Sequence, residues 1–319
     1  MKANDEKTIT QWAHRVDAPR PMNVILSSDS RSSQFHDFAR QIAELVPALH
    51  VTTQQEGEDE LPKIQVHPNI TYQAVPQGHE LEPFLGILSG GGTAAGARHF
   101  SDTRVLEKLA MPAVIKVYIA AECPFCPQTV ESLAGLAMQQ EMIHLFIIDG
   151  GMFTELASAD KVSSVPTVFL DDKIRWTGSI QIPEVIDMLL NRDPAQLGSE
   201  TLKQILYDGK AAELAEMMAD AGKIFPAFYE LLTHVLWPVR LGAMVTVEYL
   251  AGSRSDLIRE VVGELWRQFD DVEDPVKGDI LYLFGETGQT EVRPKLEAVV
   301  QGTYSATVKE AASEALAAF

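Results

Sequence analysis

Long apolar runs are missing from this sequence. A membrane-spanning helix needs about 20 consecutive apolar residues, and no run of that length occurs in the 319 residues. The opening MKANDEKTITQWAHRVD also lacks the apolar core of a secretory signal, so the expectation is a soluble, cytoplasmic protein. Positive charge is scarce as well. Lys and Arg number 26 against 45 Asp and Glu, a formal net charge of -19. That balance repels phosphate backbones and anionic headgroups, so neither nucleic acid nor a membrane surface is expected as a partner. The acids are spread along the chain, and the densest cluster, Glu56 to Glu60, reads as a solvated surface loop. Cysteine is the third scarcity. Two in this length are too few for a structural disulfide framework, and a reducing cytosol keeps ordinary thiols reduced, so the pair calls for a chemical explanation.

What is present reads as a folded protein of more than one domain: 46% of residues are hydrophobic and 22% charged. After a polar helical opening, Asn23 to Leu26 reads as a strand, Gln34 to Leu45 as a helix with Phe35, Phe38, Ile42 and Leu45 at helical spacing, and Leu49 to Thr53 as a second strand. Lys63 to Ala74 alternates like paired strands, and Leu81 to Leu88 is a closing helix. The order then repeats. Ala113 to Ile119 is a strand, Pro127 to Met138 a helix and Ile143 to Ile148 a strand, followed by a short helix near Phe153 to Ser158. A hairpin of Thr167 to Leu170 and Lys173 to Thr177 turns at Asp171-Asp172, and Ile182 to Asn191 closes the module. Each half is βαβ followed by ββα. The expected fold is α/β, two tandem thioredoxin-like modules over residues 1–110 and 111–195, with an all-α domain over 197–319.

The chemistry concentrates in Tyr118-Ile-Ala-Ala-Glu-Cys-Pro-Phe-Cys-Pro127, where a strand turns into a helix. Helical spacing of three places the sulfurs on one face, close enough for a disulfide. Cys123, nearest the helix start, meets unpaired amides and the positive end of the dipole, which favour its thiolate, so it is the expected nucleophile. Cys126, one step into the helix, is the expected resolving thiol that attacks a mixed disulfide on Cys123. Val165-Pro166-Thr167, before the third strand of the module, suits a cis X-Pro bond that presents the Val165 backbone to a substrate strand. The candidate substrate-binding residues are thus Val165, Pro166 and Thr167, with Pro124 and Phe125 from between the cysteines. No second Cys or His pair stands at ligand spacing, so no metal is expected. The glycine cluster Ser89 to Gly96 follows no strand and fails the dinucleotide spacing, so it reads as a linker.

Tyr118 to about Leu190, with its Cys-Pro-Phe-Cys-Pro, Ile148-Asp149-Gly150-Gly151 and Val165-Pro166-Thr167-Val168-Phe169, resembles the N-terminal disulfide-relay domain of the flavoprotein component of alkyl hydroperoxide reductase. It is also similar to the two-module protein disulfide oxidoreductases and to glutaredoxin-like proteins. Pro76-Gln77-Gly78-His79-Glu80 extends the resemblance into the first module, where Ser27 to Ser33 replaces the cysteines of an active module. The resemblance implies a redox-silent first module and a thiol-disulfide oxidoreductase with no bound cofactor beyond the Cys123-Cys126 disulfide. It implies electrons from a separate thioredoxin-reductase-like flavoenzyme and delivery to a peroxiredoxin or another protein disulfide. His79 reads as a turn residue. The relay family carries a glutamate seven residues before the first cysteine, where this chain has Lys116. Lys116 would favour the thiolate if it faces the dithiol, and Glu122 would oppose it.

From about Leu197 strand signals stop. Pro238-Val239-Arg240 is echoed by Pro275-Val276-Lys277 and more faintly by Thr307-Val308-Lys309, each opening a helix, which resembles HEAT-type repeats. Such repeats make extended recognition surfaces. They support the alternative function, a protein-binding scaffold switched by its dithiol.

Overall fold

The computed structural model describes residues 1–15, 20–57, 60–90 and 103–318. Their contacts separate into two compact units, Met1–Arg192 and Asp193–Phe319. The expected linker lies outside the described residues from Gly91 onward, as do residues 58 and 59 of the acidic loop.

The first unit runs α1 (Ala3–Ala13), β1 (Arg20–Leu26), α2 (Ser32–Leu45), β2 (Leu49–Gln55), β3 (Lys63–His67), β4 (Ile70–Gln73) and α3 (Leu81–Leu88). It continues with β5 (Ala113–Ile119), α4 (Cys126–Ala137), β6 (Ile143–Asp149), α5 (Thr154–Ala159), β7 (Thr167–Leu170), β8 (Ile174–Thr177) and α6 (Ile182–Leu190). All eight strands form one sheet in the order β2-β1-β3-β4-β6-β5-β7-β8. Within each half the first two strands are parallel, joined by a helix, and the last two are an antiparallel hairpin. The halves meet where β4 pairs with β6 in parallel, Ile70 opposite Leu145 and Gln73 opposite Ile148. That pairing buries two edges that would otherwise offer unpaired backbone to other chains. One apolar cluster then runs through both halves, from Ile9 to Leu189.

Two polar devices fasten the halves. Asn69, 5% exposed at the β3–β4 turn, shares its amide between the carbonyls of Ala137 (2.7 Å), Ile143 (2.8 Å) and Gln140 (3.2 Å), tying one half to the α4–β6 connection of the other. In the cysteine-free turn of the first half, Arg31 is held by Asp29 and donates to the Met152 carbonyl (3.0 Å) and to Glu155 (2.6 Å). Its guanidinium carbon lies 4.2 Å from the centroid of the Phe153 ring. The place of a second dithiol is thus taken by a clamp on the loop after β6.

Element ends differ from the sequence reading where pairing overrides local preference. β1 begins at Arg20 because parallel pairing with β2 starts there, and β2 runs on to Gln55 for the same reason. The three-residue connection between Leu170 and Ile174 places Asp171 and Asp172 at φ 51° and 60°, the left-handed region that Asp tolerates.

The second unit is helical: α7 (Ser199–Tyr207), α8 (Ala211–Ala221), α9 (Phe228–Leu232), α10 (Trp237–Ala251), α11 (Ser255–Gln268), α12 (Asp274–Glu286), α13 (Arg293–Gln301) and α14 (Ala306–Ala317). The sequence echoes open α10, α12 and α14, and their valines, Val239, Val276 and Val308, are all buried. The cations that follow in the first two reach back to the preceding turn. Arg240 donates to the carbonyls of His234 (2.6 Å) and Val235 (3.0 Å), and Lys277 to that of Val272 (2.6 Å). Among the described residues no helix is long and apolar enough to cross a membrane.

A buried ion pair closes the end of β5 farthest from the dithiol. Arg192 and Asp171 have side chains 3% and 6% exposed and meet at 3.0 Å. Arg192 also donates to the carbonyls of Met111 and Pro112, each at 2.8 Å, and of Leu189 at 3.1 Å. Removing one partner of such a pair strands the other in low dielectric, at a cost of about 3–5 kcal/mol. Arg192→Met is therefore expected to lower the stability of the first unit by that amount in urea unfolding, and a loss below about 1 kcal/mol would contradict the assignment.

Candidate active site

β5 is the strand from which the site is built. Its sequence, AVIKVYI, is apolar at all but one position and is paired on both sides, by β6 in parallel and by β7 antiparallel. The chain leaves it at Ile119, turns through Ala120 to Pro124 and enters α4 at Cys126, one residue earlier than the sequence suggests. Pro127 sits in the first turn, where a missing amide is harmless.

Cys123 and Cys126 are joined as a disulfide with Cα atoms 5.5 Å apart. Cys123 is 8% exposed and Cys126 1%, so an incoming group meets Cys123 first. The backbone N–H of Cys126 donates to Cys123 Sγ at 3.1 Å. It is the first amide of a 12-residue helix, aimed at the sulfur that would carry negative charge after reduction. Such amides lower a thiol's pKa. Phe125 between the two cysteines is 72% exposed, unusual for an aromatic ring.

An open groove of about 410 Å³ runs beside the dithiol. Phe125, Gln128, Thr129 and Ser132 form one wall, and Val165, Pro166 and Gly178 to Gln181 the other. The Val165–Pro166 peptide is cis. Of the residues expected to bind substrate, Val165, Pro166 and Phe125 line this groove. Pro124 is exposed next to Phe125 but does not line it. The Thr167 side chain is buried and donates to the Ser164 carbonyl at 2.7 Å, while its backbone belongs to β7.

The two charges weighed as modulators of the thiolate are both paired. The Lys116 ammonium lies 2.6 Å from Asp172 and 3.9 Å from Asp160. Tyr118, two residues on, donates to the same Asp160 at 2.5 Å, and its pKa is raised by burial and by that carboxylate. Glu122 pairs at 3.4 Å with Lys2, both side chains largely in solvent, where such a pair is worth little. Among the described residues no group of three or more His, Cys, Asp or Glu side chains is gathered to hold a metal ion.

The sequence reading missed an acid. Gly78 to Glu80 forms a short 3-10 turn packed against α4, and Gly78, at φ 58°, lies close enough to the Ala121 carbonyl that a Cβ would sit 3.5 Å from it. The turn thereby abuts the dithiol loop. His79 stays exposed, whereas Glu80 is 3% exposed and its Oε2 has no hydrogen-bond partner among the described residues. Burial pushes the Glu80 carboxyl up to about 8. The Tyr72 hydroxyl, donating to Oε1 at 3.2 Å, pulls it partly back, and the Glu131 charge on α4 raises it again. Tyr72 is held well above the usual phenol range, first by burial and then by Glu80. The available signal was an acid directly preceding the apolar run Leu81 to Leu88, in the same motif as His79.

Residues 113–191 match a family model described as a thioredoxin domain. The chain is similar to the F component of alkyl hydroperoxide reductase from Staphylococcus epidermidis (strain ATCC 12228), with 26% identity over 195 residues, 59% of this chain and 38% of that protein. The Xanthomonas campestris pv. phaseoli protein of the same name is 22% identical over 221 residues, 66% and 41% of the two chains. The chain thus spans about two-fifths of the length of the curated relatives it matches. A solved protein disulfide oxidoreductase from Aeropyrum pernix K1 shares the fold, with a TM-score of 0.51 and 15% identity over 59% of this chain and 92% of that one. The α/β unit is therefore thioredoxin-like, as the duplicated βαβ, ββα order implies.

Glu80 gives the site a pH signature. Its carboxyl releases its proton near 8 in the folded chain, against 4.5 for an ordinary glutamate. Between those values the folded state holds a proton that the unfolded state has lost, so stability declines as pH rises through the interval. The slope is at most about 1.4 kcal/mol per unit. Glu80→Gln is expected to abolish this decline and to be the more stable protein above about pH 8 in urea midpoints. Parallel midpoints for the two proteins from about pH 5 to about pH 9 would contradict the assignment.

Proposed function

We propose that this chain is a cytoplasmic thiol-disulfide oxidoreductase that reduces protein disulfides through Cys123 and Cys126. The observation that carries the reading is the Cys126 amide aimed at Cys123 Sγ from 3.1 Å at the start of α4, beside an open groove. With the dithiol reduced, the Cys123 thiolate attacks one sulfur of a substrate disulfide, forming a mixed disulfide and expelling the other substrate sulfur as thiolate. The Cys126 thiolate then attacks Cys123 Sγ and expels the second. Two electrons pass to the substrate and the Cys123-Cys126 disulfide forms. Glu80, its carboxyl pushed up to about 8 in the turn packed against α4, would suit proton exchange with the dithiol.

The substrate segment would lie extended in the groove, its apolar side chains against Phe125 and Pro166. Its backbone would pair with Val165, whose N–H and carbonyl make no backbone hydrogen bond among the described residues. Residues 1–110 serve as a redox-silent module that supplies Glu80 and half the sheet, residues 111–195 carry the chemistry, and residues 197–319 form a HEAT-like domain. No bound cofactor is required. Electrons would come from a separate flavoenzyme of the thioredoxin-reductase kind, and the likeness to the F component of alkyl hydroperoxide reductase suggests a peroxiredoxin as acceptor.

Insulin reduction tests this directly. With dithiothreitol as electron source the intact protein should turn over and Cys123→Ser should fall to the uncatalysed rate, while Cys126→Ser, pre-reduced and freed of dithiothreitol, should stall as a mixed disulfide on Cys123 visible by mass. Turnover that survives Cys123→Ser would refute the proposal.

A further inference from the structure

The second unit carries a helix with apolar side chains on its outer face as well as its inner one. Along α10 two polar side chains are turned inward among apolar ones: Arg240 is 5% exposed and Thr246 is fully buried, with Arg240 held by Asp279 at 2.7 Å. The outward stripe, at helical spacing, is apolar. It comprises Trp237 (54% exposed), Leu241 (39%) and Tyr249 (56%), with partly covered Val245 between them. A helix that is apolar on every side belongs in a core or against a partner, and contiguous exposed side chains of this size mark an interaction surface. The stripe continues onto α12, where exposed Tyr282 donates to Glu248 of α10 at 3.4 Å.

The exposed charges that its own two helices carry have one sign. On α10 the single exposed charge is Glu248, and on α12 the exposed ones are Asp274 and Glu286, since Lys277 is half-buried with its ammonium on the Val272 carbonyl. A second copy of the chain would bring matching carboxylates together on a background of -19 per chain. An apolar, aromatic strip whose own two helices expose only carboxylates is instead complementary to a cation-bearing amphipathic helix: leucine-like side chains fit the strip, and Lys or Arg fits Glu248, Glu286 and the Tyr282 ring.

We infer that this face of α10 and α12 docks a basic amphipathic segment of a partner protein.

The probe is a fluorescein-labelled peptide of Leu and Lys, about five helical turns long with its Leu on one face, titrated into the full chain at physiological salt and read by anisotropy. Two double variants go with it, Trp237→Ser with Tyr249→Ser and Glu248→Gln with Glu286→Gln. All four side chains point outward, so unfolding midpoints should stay at the wild-type value. The expected result is binding by the wild type that weakens about tenfold or more in each variant and for a scrambled peptide of the same composition. The inference is overturned if the wild type does not bind or if the aromatic variant binds equally, which would place the peptide on some other acidic surface. It is also overturned if sedimentation finds a dimer that the aromatic variant dissolves. Should the aromatic variant melt early, Leu241→Gln replaces it, with the same loss expected and equal binding again overturning the inference.

Discussion

The contact on which the architecture turns is the N–H of Cys126 directed at the sulfur of Cys123. A free helix in water would offer that amide to solvent. Here it is fixed because β5, paired on both sides, ends at Ile119 and leaves only a short turn before α4. The neighbouring Cys126 is buried by the same geometry, so the two sulfurs become unequal: Cys123 is the more exposed and takes the first amide of the helix, and Cys126 is almost wholly buried.

The cysteine-free half contributes more than area. Its β4 supplies the strand that covers β6, its Asn69 fastens the connection after α4, and its Glu80 places a carboxyl against that helix. The turn that would hold a dithiol in an active module carries Arg31 instead, and its guanidinium holds the loop that follows β6. Both cysteines thus lie in one half, while the other supplies packing and hydrogen bonds to it. In the second unit a buried Arg240 lies on the same helix as exposed aromatic rings.

Much of this was legible in the sequence where the signal is local. The periodicity of Phe35, Phe38 and Ile42 forms the inner face of α2, the Asp171-Asp172 turn demands what Asp provides, and Cys-Pro-Phe-Cys at a strand-to-helix turn has few explanations. What was not legible depends on partners distant in the chain. Whether Lys116 faces the dithiol could not be read from its place on β5, because Asp160 and Asp172, which take its ammonium, come more than 40 residues later. Glu80 drew no reading of its own, since only the packing of its turn against α4 makes it a buried acid. The single sheet was hidden for the same reason, as no local pattern says that β4 lies beside β6. Thr167 was grouped with its neighbours by sequence, yet the alternation along β7 turns its side chain away from the groove.

The inequality of the two sulfurs is the central claim, and the rate of iodoacetamide labelling of the reduced protein against pH, mapped by mass to each cysteine, measures it most directly. The account predicts that Cys123 is labelled first, with a titration midpoint clearly below the value of about 8.5 for a free thiol, while Cys126 stays protected. Labelling of Cys126 first, or of both together with ordinary midpoints, would contradict it.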